Sequence, residues 1–265
     1  MEARYYSPFQ GRFTSPDDFL NDTRASDPSG WNLYAYVRNN PLKYIDPSGE
    51  EVYNTNLTVK EQAKLIDDWK QKTGYKDIQF INGRLKINVE AGYEGGSEAA
   101  RTQLLDASTS REKRFNLVSV DSRDVGFAHV DAGTTYQDGK GHQTGPTVYQ
   151  VSIDFNDYKQ LNGDKEAKEA FSVGINVLHE FDHKLYGEAS DSPNSATDPG
   201  PIENTYINPI RQQLGLPTRE NYTAGPVPAV FQSAYHNSGR QLNFRLNDQH
   251  KVLRWQRDVV GGKDQ

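Results

Sequence analysis

The sequence predicts an α+β fold in which a small mixed or antiparallel sheet packs on one long helix, with a helix and a hairpin toward the C-terminal end. Three observations carry this. Between about Lys165 and Tyr186, apolar residues (Ala167, Ala170, Phe171, Ile175, Leu178, Leu185) recur at spacings near three and four, the period of a buried helix face. Thr147 to Asp154 alternates apolar and polar residues, the period of a strand. Asn82-Gly83 joins two alternating runs, 77–81 and 84–89, as a type I′ hairpin requires.

The remaining elements follow in order. Thr58 with Glu61 forms a capping box that opens a helix to about Lys72, with Leu65, Ile66 and Trp69 on its inner face. Ser97 caps a shorter helix to about Asp106, and Phe115 to Val120 reads as a strand. After Gly126–Asp131 and a polar loop from Gln137 to Gly145 comes the strand at 147–154. Asn162-Gly163-Asp164 makes a turn and cap for the long helix. Gly187 stops that helix, and the interior Gly174 suggests the close approach of another backbone. A polar loop, 188–201, leads to a mostly helical segment from Ile202 to Gly215, with Asn208 as an internal cap and Pro209 at the following first turn. The last element is a hairpin of 241–246 and 251–255 around Asn247-Asp248.

Composition narrows the function. The 265 residues suffice for one large or two modest domains, but only 34% are apolar and the mean hydropathy is −0.85, so long polar loops are expected. A net charge of −6 without basic blocks argues against nucleic acid as a partner. The chain shows no apolar stretch long enough to cross a membrane, no signal peptide pattern at its start and nothing that indicates an oligomer, so a monomer is expected. With no cysteine, disulfides and thiolate metal sites are excluded, and any zinc must be held by His and carboxylate.

The chemistry concentrates in His179-Glu180-Phe181-Asp182-His183, an H-E-x-x-H pattern inside the long helix. Residues four apart lie above one another on a helix, so His179 and His183 can offer two imidazoles to one metal ion. Glu180 sits beside that face, in reach of a water on the metal, as a general base. This is the zinc metallopeptidase signature, and its apolar flanks (Val177, Leu178, Phe181) set it apart from a solvated charge pair. A catalytic zinc takes three protein ligands and leaves one position open. For the third, Glu203, separated from His183 by nineteen residues and at a helix start, competes with Asp191, while Glu188 and Asp198 are further carboxylates within reach along the chain. His129 and His142 are more simply structural or surface histidines. Tyr222 is either a packed tyrosine or a group that polarises a substrate carbonyl.

Two resemblances extend this reading. Residues 1–49 carry Arg4-Tyr5-Tyr6-Ser7-Pro8, Gly11-Arg12-Phe13, Ser15-Pro16-Asp17, Asn32-Leu33-Tyr34-Ala35-Tyr36-Val37, Asn39-Asn40-Pro41 and Asp46-Pro47-Ser48-Gly49. This closely resembles the end of the Rhs-repeat core of polymorphic toxins, a β-shell that encloses a C-terminal toxin and is cleaved after its D-P-x-G motif by paired aspartates. The resemblance implies self-cleavage near Gly49-Glu50-Glu51 by Asp46 with one of Asp17, Asp18 or Asp27, although Glu50 stands where the family usually has Leu. Residues 50–265 are then the toxin. In them Asn208-Pro209-Ile210-Arg211-Gln212-Gln213-Leu214-Gly215-Leu216-Pro217-Thr218-Arg219 resembles a segment of NleD-like effector metallopeptidases, with Ile207 in place of a frequent glutamate. A zincin-like fold is implied, with zinc as cofactor and a strand before the active helix that borders the cleft and pairs with substrate. The expected protein is a zinc peptidase toxin. It is delivered without a signal peptide, acts on a protein in the target-cell cytoplasm, and is restrained by a cognate immunity protein and by the Rhs shell. A non-proteolytic target-binding module is the alternative.

Overall fold

The computed structural model describes residues 51–121, 126–187, 195, 197–221 and 240–255, and the backbone of 6–7, 12–13 and 225–226. Asp17, Asp18, Asp27 and Asp46 lie outside the described residues, as do Glu188, Asp191 and Tyr222.

The chain runs through β1 (Tyr6–Ser7), β2 (Arg12–Phe13), β3 (Val52–Asn54), α1 (Val59–Thr73), β4 (Ile78–Ile81), β5 (Arg84–Ile87), α2 (Glu98–Thr109), β6 (Lys113–Ser119), β7 (Ala128–Val130) and β8 (Thr147–Ile153). It continues through α3 (Phe155–Lys159), β9 (Leu161–Gly163), α4 (Lys165–Ala170), α5 (Val173–Leu185), a π-helical turn (Glu203–Ile207), α6 (Asn208–Gln213), β10 (Thr218–Arg219), β11 (Gly225–Pro226), β12 (Arg240–Leu246) and β13 (Gln249–Trp255). The fold is α+β with two larger sheets. One is a six-stranded mixed sheet ordered β4-β5-β3-β6-β8-β7, in which β3–β6 and β6–β8 are parallel. The other is antiparallel, ordered β10-β12-β13-β9, with β11 on β12.

Local sequence explains much of this. Thr58 and Glu61 form the reciprocal capping box of α1. Asn82 and Gly83 both have positive φ (51° and 80°), as a type I′ turn demands, and Asn247 and Asp248 repeat the device at 49° and 62°. Gly74 ends α1 in the left-handed region at φ 77°, where a Cβ would lie 2.5 Å from the carbonyl oxygen of Gly95. Only glycine fits both the angle and that approach.

The single helix expected over 165–186 is two. Phe171 leaves helical geometry (φ −117°, ψ 39°) and Ser172 is extended, so α4 ends and α5 begins between them. Tertiary packing overrides the helical period here. Ala167, Ala170 and Phe171 belong to a small core with Leu161, Leu242, Phe244, Leu253 and Trp255. Val173, Ile175, Val177, Leu178 and Phe181 belong to the main core with Trp69, Leu104, Phe115 and Val151. A continuous helix cannot direct one face into both. The start of α5 is held from α1: Asp68 Oδ2 accepts from the Gly174 N–H at 2.6 Å, and Trp69 Nε1 donates to the Gly174 carbonyl at 3.2 Å. Gly174 therefore accommodates side chains of α1, not a neighbouring backbone. Asn208 is likewise no cap, because the turn before α6 is already helical at Ile207.

Phe181 fixes the height of α5 over the sheet. Its ring lies 4.5 Å from that of Phe115 and 6.3 Å from that of Trp69, and none of it is exposed. Phe181→Ala is expected to lower the unfolding free energy by about 3–5 kcal/mol, the cost of lost transfer energy plus a cavity, read from urea denaturation curves.

Candidate metal centre

Helix α5 brings His179, Glu180 and His183 together in a deep position. Their ligand atoms lie within 4.8 Å of one another, and among the described residues they form a metal-competent group. His179 and Glu180 are buried, at 7% and 8% exposure, and His183 is half-buried. The two rings meet edge to face, with centroids 4.9 Å apart. Burial comes from the helix itself, since every residue from Val173 to Asp182 is buried. Lys113, from the start of β6, donates through Nζ to the Lys184 and Leu185 carbonyls and places a cation at the helix C-terminus, where the dipole favours it.

Glu180 is aimed by the sheet. Its Oε2 accepts the Val130 N–H of β7 at 2.9 Å. The expectation that the strand at 147–154 borders the cleft is corrected by this arrangement. β8 is paired on both sides, with β6 and β7, whereas β7 is the last strand of its sheet and carries the N–H that meets Glu180. His129, on β7, is exposed, and His142 is exposed beside Asp138. Neither joins the group. Asp198 Oδ1 accepts from the Gly200 N–H and the Asn204 amide, so this oxygen serves its own turn.

Glu203 lies against the site but outside the group of three. Its Oε1 is 3.6 Å from His179 Nδ1. Only 1% of it is exposed, and both oxygens face guanidinium groups: Arg211 Nη1 donates to Oε2, and Arg219 Nη1 donates to Oε1 at 2.9 Å. Burial pushes the Glu203 carboxyl up, but the charges of Arg211, Arg219 and His179 outweigh it and hold it at about 2. The arginines are anchored in turn. Arg211 Nε donates to the Ala170 carbonyl at 2.9 Å, and Arg211 Nη1 and the Arg219 N–H both donate to Asn208 Oδ1, each at 2.9 Å. Asn208, Arg211 and Arg219 carry no signal in composition or period. They stand in the segment whose resemblance to effector peptidases marked it, with no hint that it encircles Glu203.

Asp182 was also not singled out from sequence. It is fully buried, and among the described residues neither carboxylate oxygen has a hydrogen-bond partner. Burial, then the negative charges of Glu203 and Asp106, push its carboxyl well above the usual range.

Compared with known proteins, the chain matches no family model, no curated protein and no solved structure. The donor chemistry nevertheless suits zinc. It binds imidazole nitrogen at about 2.0–2.1 Å, so tetrahedral ligand atoms sit about 3.4 Å apart, inside the spread of this group.

The metal-free protein has a pH signature. The folded state keeps the Asp182 proton after the unfolded chain, with an ordinary carboxyl near pKa 3.9, has lost it. Above about pH 4 the folded state therefore binds more protons than the unfolded one, and this group's contribution to stability falls as pH rises. Asp182→Asn should melt higher than wild type at pH 7, with the difference closing toward pH 3, as followed by circular dichroism.

Proposed function

We propose that residues 50–265 are a zincin-like, zinc-dependent peptidase. The observation that carries the reading is the convergence of His179, Glu180 and His183 within 4.8 Å on one buried helix. In this reading His179 and His183 hold the metal. Zinc, when bound, supplies Lewis acidity that polarises a carbonyl and lowers the pKa of water toward about 7. Glu180 accepts a proton from the attacking water and returns it to the leaving amine nitrogen. The Val130 N–H holds one oxygen of that carboxylate at 2.9 Å and so fixes its orientation. Asp191 stands as a candidate third ligand.

The resemblance of residues 1–49 to the end of an Rhs core supports a wider proposal. The peptidase is the toxin of an Rhs-type chain, released near Gly49, acting on a protein in the target cell and neutralised in its producer by an immunity protein.

Glu180→Gln should retain one zinc per chain and the wild-type melting temperature, yet cleave about 10²- to 10⁴-fold more slowly. His183→Ala should lose the zinc. The measurements are elemental mass spectrometry of the purified protein and the appearance of new N-termini in a proteome-derived peptide library. Equal cleavage by Glu180→Gln would remove Glu180 from the chemistry. An absence of zinc from the wild type after supplementation would end the peptidase reading.

A further inference from the structure

We infer that Glu203 orients the metal-binding imidazole of His179, and that Arg211 and Arg219 form a clamp that holds Glu203 to that task. The inference rests on the zinc reading for its purpose, but its geometry is independent of it.

Three observations lead there. First, Glu203 faces Nδ1 of His179, at 3.6 Å. An imidazole whose Nδ1–H points at a carboxylate presents its Nε2 lone pair elsewhere, and such a partner fixes both the tautomer and the ring angle of a metal ligand. At 3.6 Å the contact is an ion-pair separation, longer than a hydrogen bond.

Second, Glu203 is not free to act as a ligand itself. Both of its oxygens hold charge-assisted bonds to guanidinium groups, one of them on Arg211, which is wholly buried. Moving the carboxylate onto a metal would strand those cations in the interior, an arrangement that breaking a buried ion pair makes costly. Two cations on one carboxylate also keep it ionised, the state that attracts an Nδ1–H.

Third, the clamp belongs to a different part of the fold. Arg219 is the second residue of β10 and pairs with Phe244 of β12. Its guanidinium lies over the Phe171 ring, and that of Arg211 over the Phe244 ring. Asn208 ties the two arginines together through its side-chain oxygen. The antiparallel sheet thus reaches His179 through Arg219 and Glu203. Arg211 and Arg219 are positioning residues in this inference, acting on His179 through Glu203.

Two measurements on the whole chain test this. In the metal-free wild type, at a pH where the ring is neutral, long-range proton–nitrogen NMR should report His179 as the Nδ1–H tautomer. The Nε2–H tautomer would overturn the inference, and this result does not depend on zinc. Zinc affinity is then measured by chelator competition. Glu203→Gln and Arg219→Gln should each weaken it about 10- to 100-fold, with Arg219→Lys recovering part of the loss. The zinc X-ray absorption spectrum should keep the same number of nitrogen and oxygen ligands in wild type and Glu203→Gln. Unchanged affinity in both folded variants would overturn the inference. Loss of an oxygen ligand in Glu203→Gln would also overturn it, in favour of direct ligation. Should Glu203→Gln fail to fold, the Arg219 pair carries the same decision.

Discussion

Arg211 is enclosed on all sides, and its charge is tolerable there because Glu203 faces it. An isolated guanidinium at that depth would cost several kcal/mol. The pair is therefore a constraint on its surroundings. It requires Ala170 to end α4 with its carbonyl toward Arg211, Asn208 to stand one turn before it, and the chain to double back after Gly215 so that Arg219 arrives opposite. Each requirement fixes the path of a segment that would otherwise be irregular. The carboxylate at the centre of this arrangement is also the one beside His179, so the charges that order the segment after 200 lie next to the first histidine of the candidate centre.

The break at Phe171 and Ser172 serves the same junction. An unbroken helix from 165 would rotate either Phe171 or Phe181 out of its core. By breaking, the chain sends Phe171 against Phe127, Tyr158 and Phe244, and starts α5 afresh with its inner face on Phe115 and Trp69. The new helix has no side-chain cap of its own, and α1 supplies Asp68 instead. Helix α5 is thus set by contacts at its start, its middle and, through Lys113, its end.

Much of this was legible in the sequence where the cause is local. The capping box at Thr58, the type I′ turn at Asn82-Gly83, the hairpin around Asn247-Asp248 and the placement of His179, Glu180 and His183 on one helix depend on residues within a few positions of each other. What sequence could not show depends on distant partners. The helix period across 171 and 172 is intact, and only the existence of two cores breaks it. The edge of the sheet is β7 and not β8, because β8 returns after the intervening loop to lie between β7 and β6. Glu203 was legible as a carboxylate at a helix start near the site. That its oxygens belong to Arg211 and Arg219 was not, since an ion pair across eight or sixteen residues leaves no periodic trace.

The pairing of β13 with β9, Leu253 against Gly163, has a consequence for the order in which the molecule assembles. Helix α1 and the β4–β5 hairpin close on near neighbours and can form early. The sheet that carries Arg219 needs strands from both sides of α5 to meet, and such long loops close slowly. Arg219 pairs with Phe244 only once that sheet closes, so the placement of its guanidinium beside Glu203 depends on contacts far along the chain.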